Sequence, residues 1–313
     1  MTEADVTGRR GLLPEGVASP ADLGRRLGEV GYLADGGLAT AAYLSLALGR
    51  PLFLEGEAGV GKTSLAHALS DVLGATLLRL QCYEGIDASQ ALYDWDFPRQ
   101  LLHLRASEAA GGAADPAAVE RLEGEVYSRR FLLARPLLAA LETSPCVLLV
   151  DEVDRADDEF EAFLLEVLSD YSVTVPELGT IRAEVPPVAV LTSNRTREVH
   201  DALKRRCLYH WVEHPSFERE VAIIRERAPE ASERLTRQVA SAVAVLRAED
   251  LTKPPGVAES IDWTLALVAL GAERLDPDTA IATLGAVLKY REDQERARRI
   301  DVGAMIAQAV SGA

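Results

Sequence analysis

The stretch Gly56–Thr63 contains the residues with the clearest potential for chemistry. It reads Gly-Glu-Ala-Gly-Val-Gly-Lys-Thr and fits the pattern G-x-x-x-x-G-K-[ST]. Glycines let backbone N–H groups approach an anion closely, and a helix that starts at the lysine adds the positive end of its dipole. We expect Lys62 to reach the β- and γ-phosphates of a nucleotide and the Thr63 hydroxyl to bind magnesium. The residues assigned to this phosphate site are Gly56, Glu57, Ala58, Gly59, Val60, Gly61, Lys62, Thr63 and Ser64.

The segments on either side of this loop occur in the order that a phosphate cradle requires. The apolar run 51–55 before it predicts a strand, and residues 64–73 after it carry apolar side chains at helical spacing that stop at Gly74. A glycine-rich turn followed by Lys-Thr can also be merely structural. The correct flanks favour the nucleotide site.

Two adjacent acids, Asp151 and Glu152, follow the wholly apolar run 146–150. Such a run is typical of a strand buried on both faces of a parallel sheet, and ligands bind at the carboxyl ends of these strands. Asp151 is then expected to hold magnesium, mostly through water, and Glu152 to polarise the attacking water as a general base. Apolar runs that end in acids are common by chance, so the inference depends on the phosphate loop.

Two further groups have both a functional and a structural interpretation. Asn194 follows the apolar run 188–193 and could position a water beside the γ-phosphate, or it could simply form a turn. The cations Lys204, Arg205 and Arg206 end a predicted helix, where the helix dipole favours positive charge in solvent. In an ATPase that forms rings, an arginine at such a helix end can also contact the γ-phosphate bound to a neighbouring subunit.

The other predicted elements surround these motifs. Residues 83–105 crowd aromatic and acidic side chains together, which indicates either an exposed contact surface or a folded turn with buried rings. Beyond residue 214 only helical spacing occurs, which predicts a separate all-helical lid. The remaining expectations are a flexible tail (1–19), one or two helices interrupted at residues 35–37 (21–49), a strand (75–82), a surface loop (109–118), a helix (131–141) and a β-hairpin (172–184).

Composition restricts the classes of partner. The formal net charge of −16 argues against a broad nucleic-acid footprint, because the surface would repel the phosphate backbone. The three cysteines, Cys82, Cys146 and Cys207, lie too far apart for a zinc knuckle or a disulfide framework. No stretch approaches the length of a membrane span, and the N-terminus lacks the basic-then-apolar order of a signal peptide, so we expect a cytoplasmic protein.

The order of phosphate loop, Asp-Glu strand, hairpin, Asn strand, arginines and helical tail resembles the AAA+ ATPases over about residues 20–300. The hairpin and the insertion at 83–105 look like those of the MoxR group, and within it of the branch containing the accessory ATPase of molybdenum carbon monoxide dehydrogenase maturation. The resemblance implies an α/β fold, with a P-loop AAA+ core whose parallel sheet is sandwiched by helices and a smaller all-α lid. The implied units are a tail (1–19), the core (20–214) and the lid (215–313).

The resemblance also implies residue roles. Gly56–Thr63 corresponds to Walker A, Asp151 and Glu152 to Walker B, Asn194 to sensor 1 and Arg206 to the arginine finger, with Arg205 as the alternate. Relatives usually carry a sensor-2 arginine at the start of a lid helix, whereas this chain has Glu259 to Trp263 there, without arginine. Either another cation substitutes, or the lid couples weakly to the nucleotide.

The same resemblance implies a homo-hexameric ring that binds ATP and Mg²⁺ between subunits and remodels a client protein, a metalloenzyme, in a chaperone-like way. It implies a partner with a von Willebrand factor A domain. Two alternatives stay open: a nucleic-acid motor or loader of the same superfamily, and a nucleotide-gated binding protein with little hydrolysis. The charge of −16 disfavours the first, and the missing sensor-2 arginine adds weight to the second.

Overall fold

A computed structural model describes residues 12–109 and 124–299 of this chain. Its nine described strands are β1 (Leu52–Glu55), β2 (Thr76–Gln81), β3 (Tyr93–Trp95), β4 (Leu132–Ala134), β5 (Cys146–Asp151), β6 (Ser172–Val175), β7 (Gly179–Arg182), β8 (Val188–Ser193) and β9 (Leu208–Trp211). Five of them form a parallel sheet in the order β2-β5-β8-β1-β9. β3 pairs with β4, and β6 with β7, as antiparallel two-stranded ribbons.

Helices cover both faces of the five-stranded sheet. In the first part of the chain they are α1 (Pro20–Glu29), α2 (Gly36–Leu48), α3 (Lys62–Leu73), α4 (Ala88–Leu92), α5 (Phe97–Ala109), α6 (Pro136–Glu142), α7 (Asp158–Asp170) and α8 (Asp201–Arg206). Alternate residues of β5 belong to different cores, because successive side chains of a strand point to opposite faces. Val147 and Leu149 pack with α1 to α3, and Leu148 and Val150 pack with α6 and α7.

The rest of the described chain is helical, as the sequence predicts. The helices are α9 (Phe217–Arg227), α10 (Glu233–Ala248), α11 (Val257–Ala269), α12 (Pro277–Ala282), α13 (Leu284–Val287) and α14 (Arg291–Ala297). Most of their apolar side chains form a core of their own around the fully buried Trp263, whose indole N–H donates to Thr283 Oγ1 at 2.7 Å. This separate core is the physical basis for treating the segment as a lid.

The predicted hairpin at 172–184 is confirmed by the pairing of β6 with β7. Two other elements differ from expectation. The helix predicted for 131–141 is wrong at residues 132–134, which form β4, and α6 starts only at Pro136 because proline favours the first helical turn. Strand β9 was missed, because it is a half-exposed edge strand without an apolar run.

Residues 12–19 are not free of the core, although the sequence assigns them to a flexible tail. Val17 is buried, Leu12 N–H donates to Leu46 O at 2.9 Å, and the Ser19 side chain caps α1. The rest of the predicted tail, and the loop predicted for 109–118 beyond Ala109, lie outside the described residues. In the part of the chain described, no helix is long and apolar enough to cross a bilayer.

The three cysteine thiols are free and buried. Burial raises the pKa of Cys82 to about 12, of Cys146 to about 11 and of Cys207 to about 12. Because the thiolate is the reactive form, we expect no labelling by a thiol-specific disulfide reagent at pH 8 until the protein is unfolded in urea. A Ser89→Cys control, at an exposed position of α4, should react at once. Rapid labelling of the native wild type would contradict this prediction.

Candidate nucleotide site

The loop 56–61 joins β1 to α3 and holds its backbone in a conformation suited to anion binding. Gly59 and Gly61 adopt positive φ angles of 77° and 91°, which glycine reaches without strain. Within the described residues, the backbone N–H groups of four consecutive positions donate no hydrogen bond of normal geometry. These positions are Val60, Gly61, Lys62 and Thr63. Such a row of free donors at a helix N-terminus is a site for a phosphate group.

Lys62 is buried inside this loop. Its Nζ donates to the carbonyl oxygens of Gly56 and Glu57, both at 2.7 Å. Burial lowers the pKa of the Lys62 ammonium, and the nearby carboxylates, Asp154 first among them, oppose that shift. The carbonyls therefore hold the cation beside the free N–H groups, where a bound phosphate would compensate its charge.

Asp151 lies next to the Thr63 hydroxyl. Thr63 Oγ1 donates to Asp151 Oδ1 at 3.0 Å, and Thr192 Oγ1 donates to the same oxygen at 2.5 Å. On its other side, Asp151 Oδ2 accepts from Nε of Arg79 at 3.0 Å. Because hydroxyl and carboxylate oxygens are hard ligands, Thr63 and Asp151 form a pair that suits Mg²⁺ together with phosphate oxygens and water.

Glu152 follows Asp151 in a left-handed conformation, with φ of 55°, which is uncommon for a residue with a side chain. Its backbone N–H donates to Thr192 Oγ1 at 2.9 Å. Oε1 accepts from Asn194 Nδ2 at 3.3 Å, and Oε2 accepts from Gln81 Nε2 at 3.1 Å and pairs with Arg155 Nε at 2.9 Å. The carboxylate is thus oriented from three sides.

Asn194 itself is fixed by Asp154, a buried acid that the motif-based prediction did not include. Asp154 Oδ1 accepts from the backbone N–H of Asn194 at 3.2 Å, and Oδ2 accepts from that of Thr196 at 2.8 Å. These bonds hold the loop after β8 against the loop after β5. The fold therefore brings together the predicted residues that follow β1, β5 and β8.

A cavity of about 720 Å³ joins these groups and extends between core and lid. Lys62, Thr63, Asp151, Glu152 and Asn194 line this cavity. Residues that no motif indicated line it too, including His67, Arg219, Ile223, Arg227, Ile261 and Tyr32, whose hydroxyl donates to Gly61 O at 3.3 Å. The volume is within the range of sites that enclose a molecule of nucleotide size.

Residues 51–207, half of the chain, match the AAA domain family of the dynein-related subfamily. The chain belongs to this AAA family. AAA proteins in general bind ATP and Mg²⁺, hydrolyse nucleotide and commonly oligomerise. No curated protein matches the sequence.

The AAA chain is similar to several solved structures of one bacterial motor. The Thermotoga maritima RuvB Holliday junction branch migration motor has 14% sequence identity, with 88% of this chain and 72% of that chain covered and a TM-score of 0.45. A mutant of that protein has 14% identity, the same two coverages and a TM-score of 0.46. Another mutant has 15% identity, coverages of 80% and 67% and a TM-score of 0.47.

Four predicted site residues do not line the cavity: Gly56 and Glu57, whose carbonyls hold Lys62, and the two arginines Arg205 and Arg206. Arg206 Nη1 donates to Ser169 Oγ at 2.9 Å, and the Arg205 side chain is 83% exposed. The backbone carbonyls of both residues accept from the guanidinium of Arg50, at 3.2 Å for Arg206 and 2.9 Å for Arg205. Neither lines the cavity that contains Lys62 of the same chain.

Gln81 and Arg79 were missed, although a signal for them existed. Both belong to the strand predicted at 75–82, and Gln81 pairs in register with Asp151. The carboxyl ends of neighbouring parallel strands meet at one edge of the sheet, so polar residues at the end of β2 were candidates. The sequence alone did not show that β2 neighbours β5.

Proposed function

We propose that this AAA protein is a cytoplasmic MoxR-type ATPase that hydrolyses ATP to ADP and phosphate in a Mg²⁺-dependent reaction. It uses this reaction for chaperone-like remodelling or maturation of a client protein, a metalloenzyme. The observation that carries the ATPase proposal is the cluster of free backbone N–H groups and Lys62 beside Asp151 and Glu152 in one cavity.

In this mechanism the loop holds the triphosphate. The free N–H groups of residues 60–63 donate to phosphate oxygens, and the Lys62 ammonium neutralises part of the β- and γ-phosphate charge. The adjacent oxygens of Thr63 and Asp151 fit Mg²⁺, with Asp151 acting mostly through water. A bound Mg²⁺ would supply positive charge beside the phosphate oxygens on which negative charge develops during phosphoryl transfer.

Glu152 is the general base that accepts a proton from the attacking water, while Asn194 orients that water. Their side chains already contact each other at 3.3 Å, which supports a shared role at one reacting centre. The bonds from Gln81 and Arg155 hold the carboxylate before substrate arrives. This preorganisation reduces the cost of aligning the base with the γ-phosphate.

Arg206 is the group that completes the site from a neighbouring subunit, with Arg205 as the alternate. The support is indirect: both arginines are exposed and neither lines its own chain's cavity. A homo-hexameric ring would bring this edge of one subunit to the nucleotide of the next. Turnover then depends on assembly, because charge developing on the γ-phosphate is stabilised in trans.

The MoxR assignment and the protein client are supported by two appendages of the core. The hairpin of β6 and β7 is present, and the insertion exposes apolar side chains on α5, namely Phe97, Leu101 and Leu102. Exposed apolar surface of this kind is suited to binding proteins. We also propose a partner with a von Willebrand factor A domain, on the family resemblance alone. The net charge of −16 counts against a nucleic-acid substrate.

Affinity capture tests the client role. A Glu152→Gln ring with ATP should stall with its client and partner bound, whereas a Lys62→Ala ring, which lacks the phosphate-binding cation, should not. We expect a metalloenzyme and a protein with a von Willebrand factor A domain in the Glu152→Gln eluate only. Identical eluates from two folded variants would contradict the client role. Co-purification of DNA or RNA with the Glu152→Gln ring would favour the nucleic-acid motor instead.

A further inference from the structure

The lid touches the phosphate loop through the backbone. The N–H groups of Val257 and Ala258, the first residues of α11, donate to the carbonyl oxygen of Gly59 at 3.0 and 3.2 Å. The first N–H groups of any helix lack partners within the helix. Here a carbonyl of the phosphate loop satisfies two of them, so the lid helix and the loop are directly joined.

Two glycines make this contact possible. A Cβ at Gly256 would lie 2.7 Å from Ala58 O and 2.9 Å from Gly59 Cα. A Cβ at Gly59 would lie 2.8 Å from Oε2 of Glu259, which accepts from the Gly256 N–H at 2.9 Å. Side chains at either position would therefore separate the two backbones.

A buried ionic network holds the start of α11 in place. Arg247 of α10 donates from both terminal nitrogens to Glu220 of α9, at 2.6 and 2.8 Å. Ser260 Oγ donates to Glu220 Oε1 at 2.6 Å, and Arg247 Nε donates to Pro255 O at 2.7 Å. Glu220 and Ser260 are 2% and 0% exposed. The network ties three lid helices to the turn that contacts Gly59.

We propose that this contact couples the lid to nucleotide in place of a sensor-2 arginine. We call it the lid latch: Gly256, Val257 and Ala258 of the lid lie against Gly59 of the phosphate loop. The inference rests on the proposed ATP site. The peptide between Gly59 and Val60 has its C=O bound by α11, while its N–H is one of the free donors of the phosphate site. Accepting two hydrogen bonds polarises a peptide group and strengthens its N–H as a donor.

The latch gives the lid a thermodynamic effect on ATP binding without a charged side chain. A closed lid holds the Gly59 carbonyl, and therefore the loop, in the conformation that presents its N–H groups. By linkage, a nucleotide that prefers this loop conformation must favour lid closure by the same free energy. Glu220, Arg247 and Ser260 are positioning residues for this contact, since they act through α11.

The first test is Gly256→Ala. Gly256 has φ of −82°, which alanine adopts without strain, so the added Cβ acts mainly on the loop backbone at Ala58 and Gly59, and its other close neighbour is the end of the Glu259 side chain at 2.9 Å. Loss of the two hydrogen bonds is expected to weaken ATP binding about 10-fold. The matched control is Gly285→Ala in the lid helix α13, where the added Cβ meets only Gln294 Nε2 at 3.8 Å. The control should bind ATP as the wild type does.

A second variant removes a donor without relying on a clash. Val257 is the first residue of α11, a position that favours proline, and Gly256 has the extended conformation preferred before proline. Val257→Pro should therefore keep the helix, lose one N–H donor and weaken ATP binding. Hydrogen exchange adds a readout that a purely structural role would not move: ATP should slow exchange of the Val257 and Ala258 amides in the wild type.

The outcomes separate the latch from the ATP site. If either variant melts as the wild type does and binds ATP as tightly as Gly285→Ala, the latch is overturned. If both variants unfold, the wild-type exchange experiment decides, and absence of ATP-dependent protection at Val257 and Ala258 overturns the latch. Failure of the wild type to bind ATP refutes the proposed function instead.

Discussion

Glu152→Gln is expected to reduce multiple-turnover ATP hydrolysis at least about 100-fold while leaving ATP binding close to that of the wild type. Glutamine keeps the shape of the side chain but does not accept the proton of the attacking water. The phosphate-binding groups, Lys62 and the free N–H groups of the loop, are unchanged. Phosphate release measured with excess ATP, together with equilibrium binding of ATP, separates the two effects.

The matched control for this prediction is Glu159→Gln, on the exposed face at the start of α7. It removes the same charge from the same region without touching the cavity, so it should hydrolyse ATP as the wild type does. Turnover of Glu152→Gln at the wild-type rate would remove Glu152 from the role of base. A wild type that binds ATP but releases no phosphate would favour the nucleotide-gated binding protein.

The second large effect is expected from Arg206→Ala, which should lower hydrolysis about a thousandfold with nearly unchanged nucleotide binding, as for other arginine fingers. The folded subunit loses little, because among the described residues the guanidinium donates one hydrogen bond, to Ser169 Oγ at the surface. Arg205→Ala is the matched control and should keep its activity. Loss of activity in Arg205→Ala alone would assign the finger to the alternate residue.

Mixing two inactive variants tests whether Arg206 acts in trans. A subunit with Arg206→Ala keeps its own Glu152, and a subunit with Glu152→Gln keeps its own Arg206. Mixed assemblies therefore contain interfaces where an intact base faces an intact finger, and phosphate release should reappear on mixing. A mixture of assembled rings that stays inactive would show that the two residues do not meet across a subunit interface.

The proposed site was largely predictable because its parts are local. Each predicted group that meets in the cavity lies at or directly after the end of a strand: the phosphate loop after β1, Asp151 and Glu152 at β5, and Asn194 after β8. Buried parallel strands leave a strong apolar signal, and their carboxyl ends lie at the same edge. Two strands that the sequence analysis missed leave weaker sequence patterns, since β4 is three residues long and β9 is a half-exposed edge strand.

The amino-acid sequence by itself determined the phosphate loop, the acids that follow β5 and the helical character of the lid, because each depends on residues adjacent along the chain. Only the tertiary structure decided that Gln81 reaches Glu152, that Arg206 bonds Ser169 and does not line its own chain's cavity, and that Val257 contacts Gly59. These pairs lie far apart in the sequence. Their meeting depends on strand order and helix packing, which are set by the burial of many side chains together.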